Sequence, residues 1–252
     1  MDVQNSVVFI TGANRGIGKA YAESFLAAGA KKIYLAVRNT DNVADMVAAN
    51  PDKFIPIQLD VTNQNQIDAA AATAQDTNIL INNAGILFWN NLQDANVIED
   101  ARKEMDVNYF GVIAVTRAFA PILKANGGGA IATVSSIVGY ISFPGLPTYS
   151  ASKAAIHSLI MATRLELADQ GTLVVGVYPG SIDTDMADGV EIDKTPPSQV
   201  AETTIAAIKN DNEDVFTDDL AKNFYRNYKA DPKAVEAELL QMYRDNQSDQ
   251  TV

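Results

Sequence analysis

The feature that most constrains the fold is a regular alternation of short apolar runs with longer runs of helical periodicity. The apolar runs cover residues 6–11, 32–37, 54–60, 79–82, 130–135 and 173–178. The helical runs cover residues 16–28, 41–49, 64–75, 106–124, 149–168 and 198–209. Because the apolar runs rarely alternate with polar residues, both faces of each strand are expected to be covered by helices. The pattern predicts an α/β protein with a doubly wound parallel sheet and helices on both faces.

Chain length predicts one domain over residues 1–252, since doubly wound sheets of this size often remain undivided. The segment after Asn210 changes character, with ten acidic and five basic residues. It keeps large apolar side chains at Phe224, Tyr225, Tyr228, Leu239, Leu240 and Tyr243. These anchors predict an acidic C-terminal extension of docked helices, with fraying confined to residues 249–252.

Composition excludes several classes of function. The chain has no cysteine and one histidine, so we expect no metal site. Its net charge of −12 disfavours nucleic acid and membrane surfaces as partners, although acidic surface often serves solubility alone. The first six residues lack a basic start and a long apolar run, which predicts a cytoplasmic protein.

A glycine-containing loop follows the first predicted strand and leads directly into a helix. It reads Thr-Gly-Ala-Asn-Arg-Gly-Ile-Gly from Thr11 to Gly18. Glycines there let the backbone approach a pyrophosphate, whose charge is met by the N–H groups at the helix start. The spacing differs from G-x-G-x-x-G, and taken alone the loop also fits an ordinary strand-to-helix turn.

The end of the second predicted strand indicates which dinucleotide is preferred. An NAD site usually places an acidic residue there, whereas this chain has Val37. Arg38 follows it and Arg15 lies in the glycine loop, so both guanidinium groups are placed to bind the 2′-phosphate of NADP. The alternative is two solvated surface arginines. Asp41 is either a ribose contact or, more simply, a helix N-cap.

Candidate catalytic residues lie further along the chain. Tyr149 and Lys153 are four residues apart at a predicted helix start, so they share one helix face. The lysine ammonium is expected to lower the pKa of the phenol towards neutrality, where it can exchange a proton. Ser136 ends a strand and can hold a substrate oxygen, and Asn108 begins a long predicted helix. Each residue alone also fits a structural role as core aromatic, surface cation, turn former or helix cap.

Together and in this order, the motifs resemble the short-chain dehydrogenase/reductase family over residues 6–209. The turn Asn82–Gly85, Asp60 with Val61, and the loop from Pro179 to Thr184 are similar to further motifs of that family. The resemblance implies a Rossmann fold of about seven strands that binds NADP(H). The cofactor-binding residues it implies, with Arg38 added from the strand-two argument, are Gly12, Asn14, Arg15, Gly16, Ile17, Gly18, Arg38, Asp60, Val61, Asn83, Ala84, Gly85, Tyr149, Lys153, Pro179, Gly180, Ile182 and Thr184.

The resemblance also implies a role for each catalytic residue. Tyr149 is the general acid in reduction, Ser136 orients the carbonyl, Lys153 binds the nicotinamide ribose, and Asn108 supports a proton relay. The spacing before Tyr149 selects Ser136 over Ser135. The family further implies a homodimer or homotetramer packed through the helices that carry Asn108 and Tyr149.

The sequence therefore predicts an NADP-dependent oxidoreductase that interconverts a carbonyl and a secondary alcohol on a small or medium apolar substrate. Phe88, Trp89, Phe143 and Leu146 either line the substrate pocket or belong to the core. Alternatives are a 3-oxoacyl-carrier or polyol reductase, or a regulatory protein that senses NADPH without turnover. The acidic surface disfavours an acidic carrier. His157 is expected to be a packed or interface residue rather than part of the relay.

Overall fold

The sheet is the central layer of the computed structural model, which describes residues 1–188 and 193–249. Within these residues seven parallel strands follow the order β3-β2-β1-β4-β5-β6-β7. They are β1 (Val7–Thr11), β2 (Lys32–Val37), β3 (Phe54–Gln58), β4 (Ile79–Asn82), β5 (Gly129–Val134), β6 (Thr172–Tyr178) and β7 (Asp214–Phe216). The strand order reverses between β1 and β4, and at such a reversal a crevice opens beyond the carboxyl ends of the strands. The predicted fold class is confirmed.

Helices cover both faces of the sheet. They are α1 (Gly16–Ala27), α2 (Ala44–Ala49), α3 (Gln64–Thr73), α4 (Val97–Glu104), α5 (Gly111–Ala125), α6 (Pro147–Leu167), α7 (Pro197–Lys209), α8 (Asp219–Ala230) and α9 (Pro232–Asp249). On one face, Phe25 of α1 and Ile205 of α7 pack in a buried cluster with the strands. On the other, Ile67 of α3 and Phe119 of α5 do the same. The strands are therefore buried on both sides, as their continuous apolar sequences predict.

The acidic C-terminal segment begins with a strand that the apolar pattern did not predict. β7 pairs with β6 along all three of its residues, but it is only three residues long and begins with Asp214, so it carries little strand signal. Helices α8 and α9 then pack on the main body. Phe224 lies 5.1 Å from Phe143 between ring centroids, and Leu239 is buried beside Ile141. The predicted fraying concerns residues 250–252, which lie outside the described part of the chain, whereas Asp249 is still helical.

Two local predictions are wrong in detail. Asp41 does not cap a helix, because the side chain of Asn39 accepts the Asp41 N–H at 3.0 Å and starts a 3₁₀ turn before α2. Asn108 does not begin a helix either. It lies in a π-helical turn, Met105–Phe110, that joins α4 to α5. The sequence predicts a helical stretch after β4 without bounds, and it does not indicate that this stretch continues through the π-helical turn into α5.

Among residues 1–188 and 193–249, no helix is both long enough and apolar enough to cross a lipid bilayer.

Candidate active site

One cavity of about 470 Å³ opens at the carboxyl ends of the central strands. All the predicted cofactor-binding residues line it, together with Ser136. Asn108 is the predicted catalytic residue that does not line the cavity; it lies behind the wall and is buried. The fold thus brings residues from seven separate chain segments to one edge of the sheet.

The glycine loop forms a tight cradle at the start of α1. A Cβ on Gly18 would lie 2.1 Å from the Gly12 carbonyl oxygen, and Gly16 has a φ of +50°, so glycine is required at both positions. Arg15 occupies the N-cap position, and its side chain makes no capping hydrogen bond. The N–H groups of the first turn therefore remain available for an anion beside the positive end of the helix. This geometry fits the pyrophosphate of a dinucleotide.

A network around Thr11 fixes the glycine loop against the turn after β4. The Thr11 hydroxyl accepts the N–H groups of Asn83 and Ala84, both at 3.0 Å, and donates to Ile81 O at 3.3 Å. In return, Asn83 Nδ2 donates to Thr11 O at 2.9 Å. The two loops that border the cavity therefore hold each other in position.

One end of the cavity lies beside β2 and carries Arg38, whereas Arg15 lies in the glycine loop before α1. Val37 is buried, and Arg38 is exposed at the cavity edge. Burial opposes ionisation of Asp60, but hydrogen bonds from Thr62 and the charge of Arg38 outweigh it, so the pKa of Asp60 lies below its ordinary value. Arg15 pairs with Asp185 across the cavity mouth, and both side chains are exposed. Arg38 takes no part in this ion pair.

The predicted catalytic side chains meet at the opposite end. Tyr149 and Lys153 lie on the first turns of α6, with Lys153 Nζ 5.5 Å from the centre of the Tyr149 ring. The ammonium donates to Val134 O at 2.9 Å. Ser136 follows β5, and its hydroxyl lies 3.3 Å from Pro179 O in the loop after β6. A phenol, a hydroxyl and an amine thus border one end of the cavity.

The predicted lowering of the Tyr149 pKa is wrong for this arrangement. Burial raises the pKa of the phenol above its ordinary value, and the negative charge of nearby Glu104 adds to the rise. Burial also lowers the pKa of Lys153, to about 8, although Glu104 opposes this change. Desolvation disfavours the charged form of both groups, so it raises the pKa of the phenol and lowers the pKa of the amine. Tyr149 is therefore held protonated, which suits a proton donor.

Asn108 is fixed by hydrogen bonds to two neighbouring segments. Its Oδ1 accepts the Ile86 N–H at 2.8 Å, and its Nδ2 donates to Ile86 O at 2.9 Å and Ser152 Oγ at 3.0 Å. A Cβ on Gly85 would lie 3.2 Å from Asn108 Oδ1 and 3.7 Å from Lys153 Nζ. The amide is thus close to the lysine on the side away from the cavity.

The model of the family described as short chain dehydrogenase matches residues 6–195. The chain belongs to this family. Members of this family are oxidoreductases that bind a nicotinamide cofactor. The predicted family resemblance is confirmed.

Two curated relatives are similar to about three quarters of this chain. Short chain dehydrogenase tazN of Aspergillus terreus is 35% identical over 202 residues, which cover 76% of this chain and 44% of the relative. A 3-oxoacyl-[acyl-carrier-protein] reductase of Synechocystis is 33% identical over 191 residues, or 73% of this chain and 77% of the relative. This chain therefore spans less than two thirds of the first relative's length.

Two solved structures share the fold over nearly the whole chain. A short chain dehydrogenase from Burkholderia cenocepacia in complex with NADP has a TM-score of 0.90 and 37% identity, covering 95% of this chain and 99% of that one. A family member from Burkholderia phymatum in complex with NAD has a TM-score of 0.83 and 26% identity, covering 93% and 96%. The fold is thus shared by proteins that were solved with different dinucleotides.

Apolar residues form the outer wall of the cavity. Three of the four predicted pocket residues line it, namely Trp89, Phe143 and Leu146. Phe88 does not; its ring lies beneath the Lys103 ammonium, at 5.9 Å. Sequence reasoning missed further lining residues: Leu87, Val138, Met186 and Leu220. Leu220 comes from α8, and nothing in its local sequence distinguishes it from a core leucine.

His157 is a packed side chain, as expected. Its Nδ1 lies 2.9 Å from the Tyr178 hydroxyl, and its ring centroid lies 4.2 Å from that of Tyr140. Burial lowers its pKa. The histidine belongs to the aromatic cluster beneath α8 rather than to the cavity wall.

Asp218, also missed from the sequence, links α8 to the loop after β6. Its Oδ1 accepts the Ala221 N–H at 2.9 Å as the N-cap of α8, and its Oδ2 accepts the Gly180 N–H at 2.8 Å. A Cβ on Gly180 would lie 2.5 Å from this carboxylate. The acidic extension therefore fixes one border of the cavity. An S/T/D residue before a helix was the available sequence signal.

Replacing Asp218 with alanine is expected to lower the free energy of unfolding by about 2–4 kcal/mol, because a helix cap is lost and a buried N–H loses its acceptor. The KM for the cofactor is expected to rise in the same variant. Thermal or urea unfolding and steady-state kinetics measure both effects. Asp219→Ala is the matched control, since this neighbouring side chain is exposed. Equal stability of the two variants would contradict the linking role.

Proposed function

We propose that this short-chain dehydrogenase uses NADP(H) to interconvert a ketone or aldehyde and the corresponding alcohol on a small or medium apolar substrate. The observation that carries the proposal is the common cavity of Ser136, Tyr149 and Lys153, beneath a wall of apolar side chains. The phenol and hydroxyl are suited to a substrate oxygen, while the wall accepts an uncharged carbon skeleton.

The residues present fit a dinucleotide along the cavity. The glycine cradle at α1 would hold the pyrophosphate, Asp60 the adenosine end, and the loop from Pro179 to Thr184 the nicotinamide end. Arg38, with Val37 in place of an acidic residue, favours a 2′-phosphate, and this supports NADP over NAD. When bound, the nicotinamide supplies or accepts the hydride.

In reduction, Ser136 holds the carbonyl oxygen and Tyr149 donates a proton to it as negative charge develops. The raised pKa of Tyr149 keeps that proton on the phenol until it is needed. Lys153 then places a positive charge next to the phenol that has lost its proton. Asn108 fixes the segment after Gly85 next to the helix that carries Lys153, through its hydrogen bonds to Ile86 and Ser152. In oxidation the proton moves in the opposite direction.

The test is a panel of ketones, aldehydes and secondary alcohols, followed by nicotinamide absorbance with NADPH and NADP⁺ and, in parallel, with NADH and NAD⁺. We expect turnover of apolar members and higher kcat/KM with the phosphorylated cofactor. The panel includes polyols and a 3-oxoacyl thioester. No turnover of any member, with intact NADPH binding, would contradict the proposal and favour a sensing role.

A second candidate is reduction of a 3-oxoacyl thioester. The similarity to the cyanobacterial 3-oxoacyl-carrier reductase favours it. The net charge of −12 opposes it, because an acidic carrier would be repelled during encounter. Thioester turnover above that of simple ketones would select this candidate.

Assembly and location stay predictions. Family members commonly oligomerise, and exposed apolar side chains on the outer faces of the helices around α5 and α6 support a homodimer or homotetramer of this chain. These side chains are Phe110, Met161 and Leu165. A small-molecule substrate as the functional partner, rather than nucleic acid or membrane, is proposed on the grounds of the net negative charge.

A further inference from the structure

Buried charge is rare in this chain. Among the charged residues that the structure describes, Glu104, Lys153 and Asp218 are buried, with 0%, 5% and 2% of their surface exposed. Asp218 uses both oxygens to accept hydrogen bonds, as described above. Glu104 and Lys153 remain, and they carry opposite charges. Buried charges are usually compensated by other charges, so their relation requires an explanation.

Glu104 is held by one oxygen only. Its Oε1 accepts the Phe88 N–H at 2.8 Å. Its Oε2 is buried and accepts no hydrogen bond from any residue the structure describes. The Thr148 hydroxyl donates to Asn90 Oδ1 at 3.2 Å. It also lies close enough to the Glu104 carboxyl group to lower the pKa of that group. A carboxylate with one unpaired oxygen is costly to bury unless a positive charge lies near.

The position of Glu104 places it behind the catalytic groups. It ends α4, one helical turn before Asn108, and α4 packs against α6. Asn108 holds Ile86 and Glu104 holds Phe88, so the two side chains fix successive parts of the segment that carries Ile86 and Leu87 into the cavity wall. Thr148, beside the carboxyl group, directly precedes Tyr149.

We propose that Glu104 is a positioning residue whose buried carboxylate sets the pH range in which Tyr149 and Lys153 exchange protons. The proposal rests on the proposed function, since it assigns the two α6 residues to proton transfer. It extends the proton-transfer site by an acidic group that does not touch the cavity.

The charge of Glu104 shifts the pKa values of Tyr149 and Lys153 in the same direction. The charged or titratable groups that face Glu104 are Lys153 and Tyr149 on α6 and Asp100 on its own helix. Burial raises the pKa of Glu104, and Asp100 adds to the rise, whereas the Thr148 hydroxyl, the Phe88 N–H and the charge of Lys153 oppose it. The carboxylate in turn raises the pKa of both Tyr149 and Lys153. Removing its charge therefore lowers both values.

The test is Glu104→Gln, which keeps an oxygen for the Phe88 N–H and removes the charge. In ¹³Cε-lysine-labelled protein, with the Lys153 signal assigned by its loss in Lys153→Met, the Lys153 titration is expected to move down from its value near 8 by about one pH unit. The pH profile of kcat for alcohol oxidation is expected to move to lower pH in the same way, because the phenol then loses its proton more readily.

The matched control is Glu99→Gln, an exposed carboxylate on the same helix, which should leave both profiles unchanged. Superimposable wild-type and Glu104→Gln titrations would overturn the proposal. If the glutamine variant does not fold, Glu104→Met repeats the test with an apolar side chain of similar size; failure of both to fold would assign Glu104 to stability alone and also overturn it. If the wild type turns over no substrate, the proposed function fails while the NMR titration still decides the role of Glu104.

Discussion

Tyr149→Phe is expected to lower kcat for ketone reduction by about 10³-fold, because general acid catalysis by a positioned side chain contributes roughly 10²–10⁴-fold. The phenylalanine ring retains the packing of Tyr149 against Val138 and Leu146. The fold and the Kd for NADPH are therefore expected to change little. Steady-state kinetics, fluorescence titration of NADPH and thermal unfolding measure the three quantities.

The control for this experiment is Tyr228→Phe. This phenol lies in the aromatic cluster beneath α8, with its ring centroid 6.1 Å from that of Tyr140, and it does not line the cavity. Its removal is expected to leave kcat within about twofold, as for a group outside the reaction. Near-wild-type activity of Tyr149→Phe would show that another group supplies the proton and would contradict the proposed mechanism.

Arg38→Leu is expected to reduce kcat/KM for NADPH by about 10- to 100-fold, because hydrogen bonds to a charged group contribute roughly 1.5–3 kcal/mol. The kcat/KM for NADH is expected to change little, since NADH lacks the 2′-phosphate. Arg38 is expected to contribute more than Arg15, whose guanidinium pairs with Asp185 and must leave that partner to reach a phosphate. Initial rates with both cofactors measure the difference.

Lys19→Leu is the matched control, because this exposed cation on α1 pairs with Glu23 and does not line the cavity. It removes the same charge from the protein, so it separates a local contact from the effect of net charge. An equal loss with NADPH and NADH in Arg38→Leu, or equal efficiency of the wild type with the two cofactors, would contradict the preference for NADP.

The parts of the fold with strong local signals could be predicted from the sequence. β2 and β4 have the predicted bounds because their apolar runs end at polar or turn-forming residues. β7 could not be predicted, since three residues that include an aspartate carry no periodicity and pair only because β6 presents an open edge. The π-helical turn at Asn108 was missed for a related reason, because it depends on packing between α4, α5 and α6.

The candidate site likewise contains residues that the sequence indicated and residues that it did not. The sequence indicated the residues at the cavity edge, and their roles there stay predictions. It did not indicate Leu220, which lines the cavity, or Glu104, which is buried behind it. Both belong to helices whose local sequence resembles that of many surface helices. The predicted direction of the Tyr149 pKa shift was wrong, because spacing along a helix says nothing about how deeply the phenol is buried.

By itself the sequence determined the parallel α/β architecture, the glycine turn at the first helix and the set of side chains at the carboxyl ends of the strands. Strand and helix periodicity is local, and parallel strands bring their carboxyl ends to one edge whatever the remaining details. Tertiary structure alone decided the protonation of Tyr149, the pairing of Arg15 with Asp185 and the burial of Glu104 near Lys153. Desolvation and charge interactions depend on distances through space, which residues far apart in the chain acquire only when the helices pack.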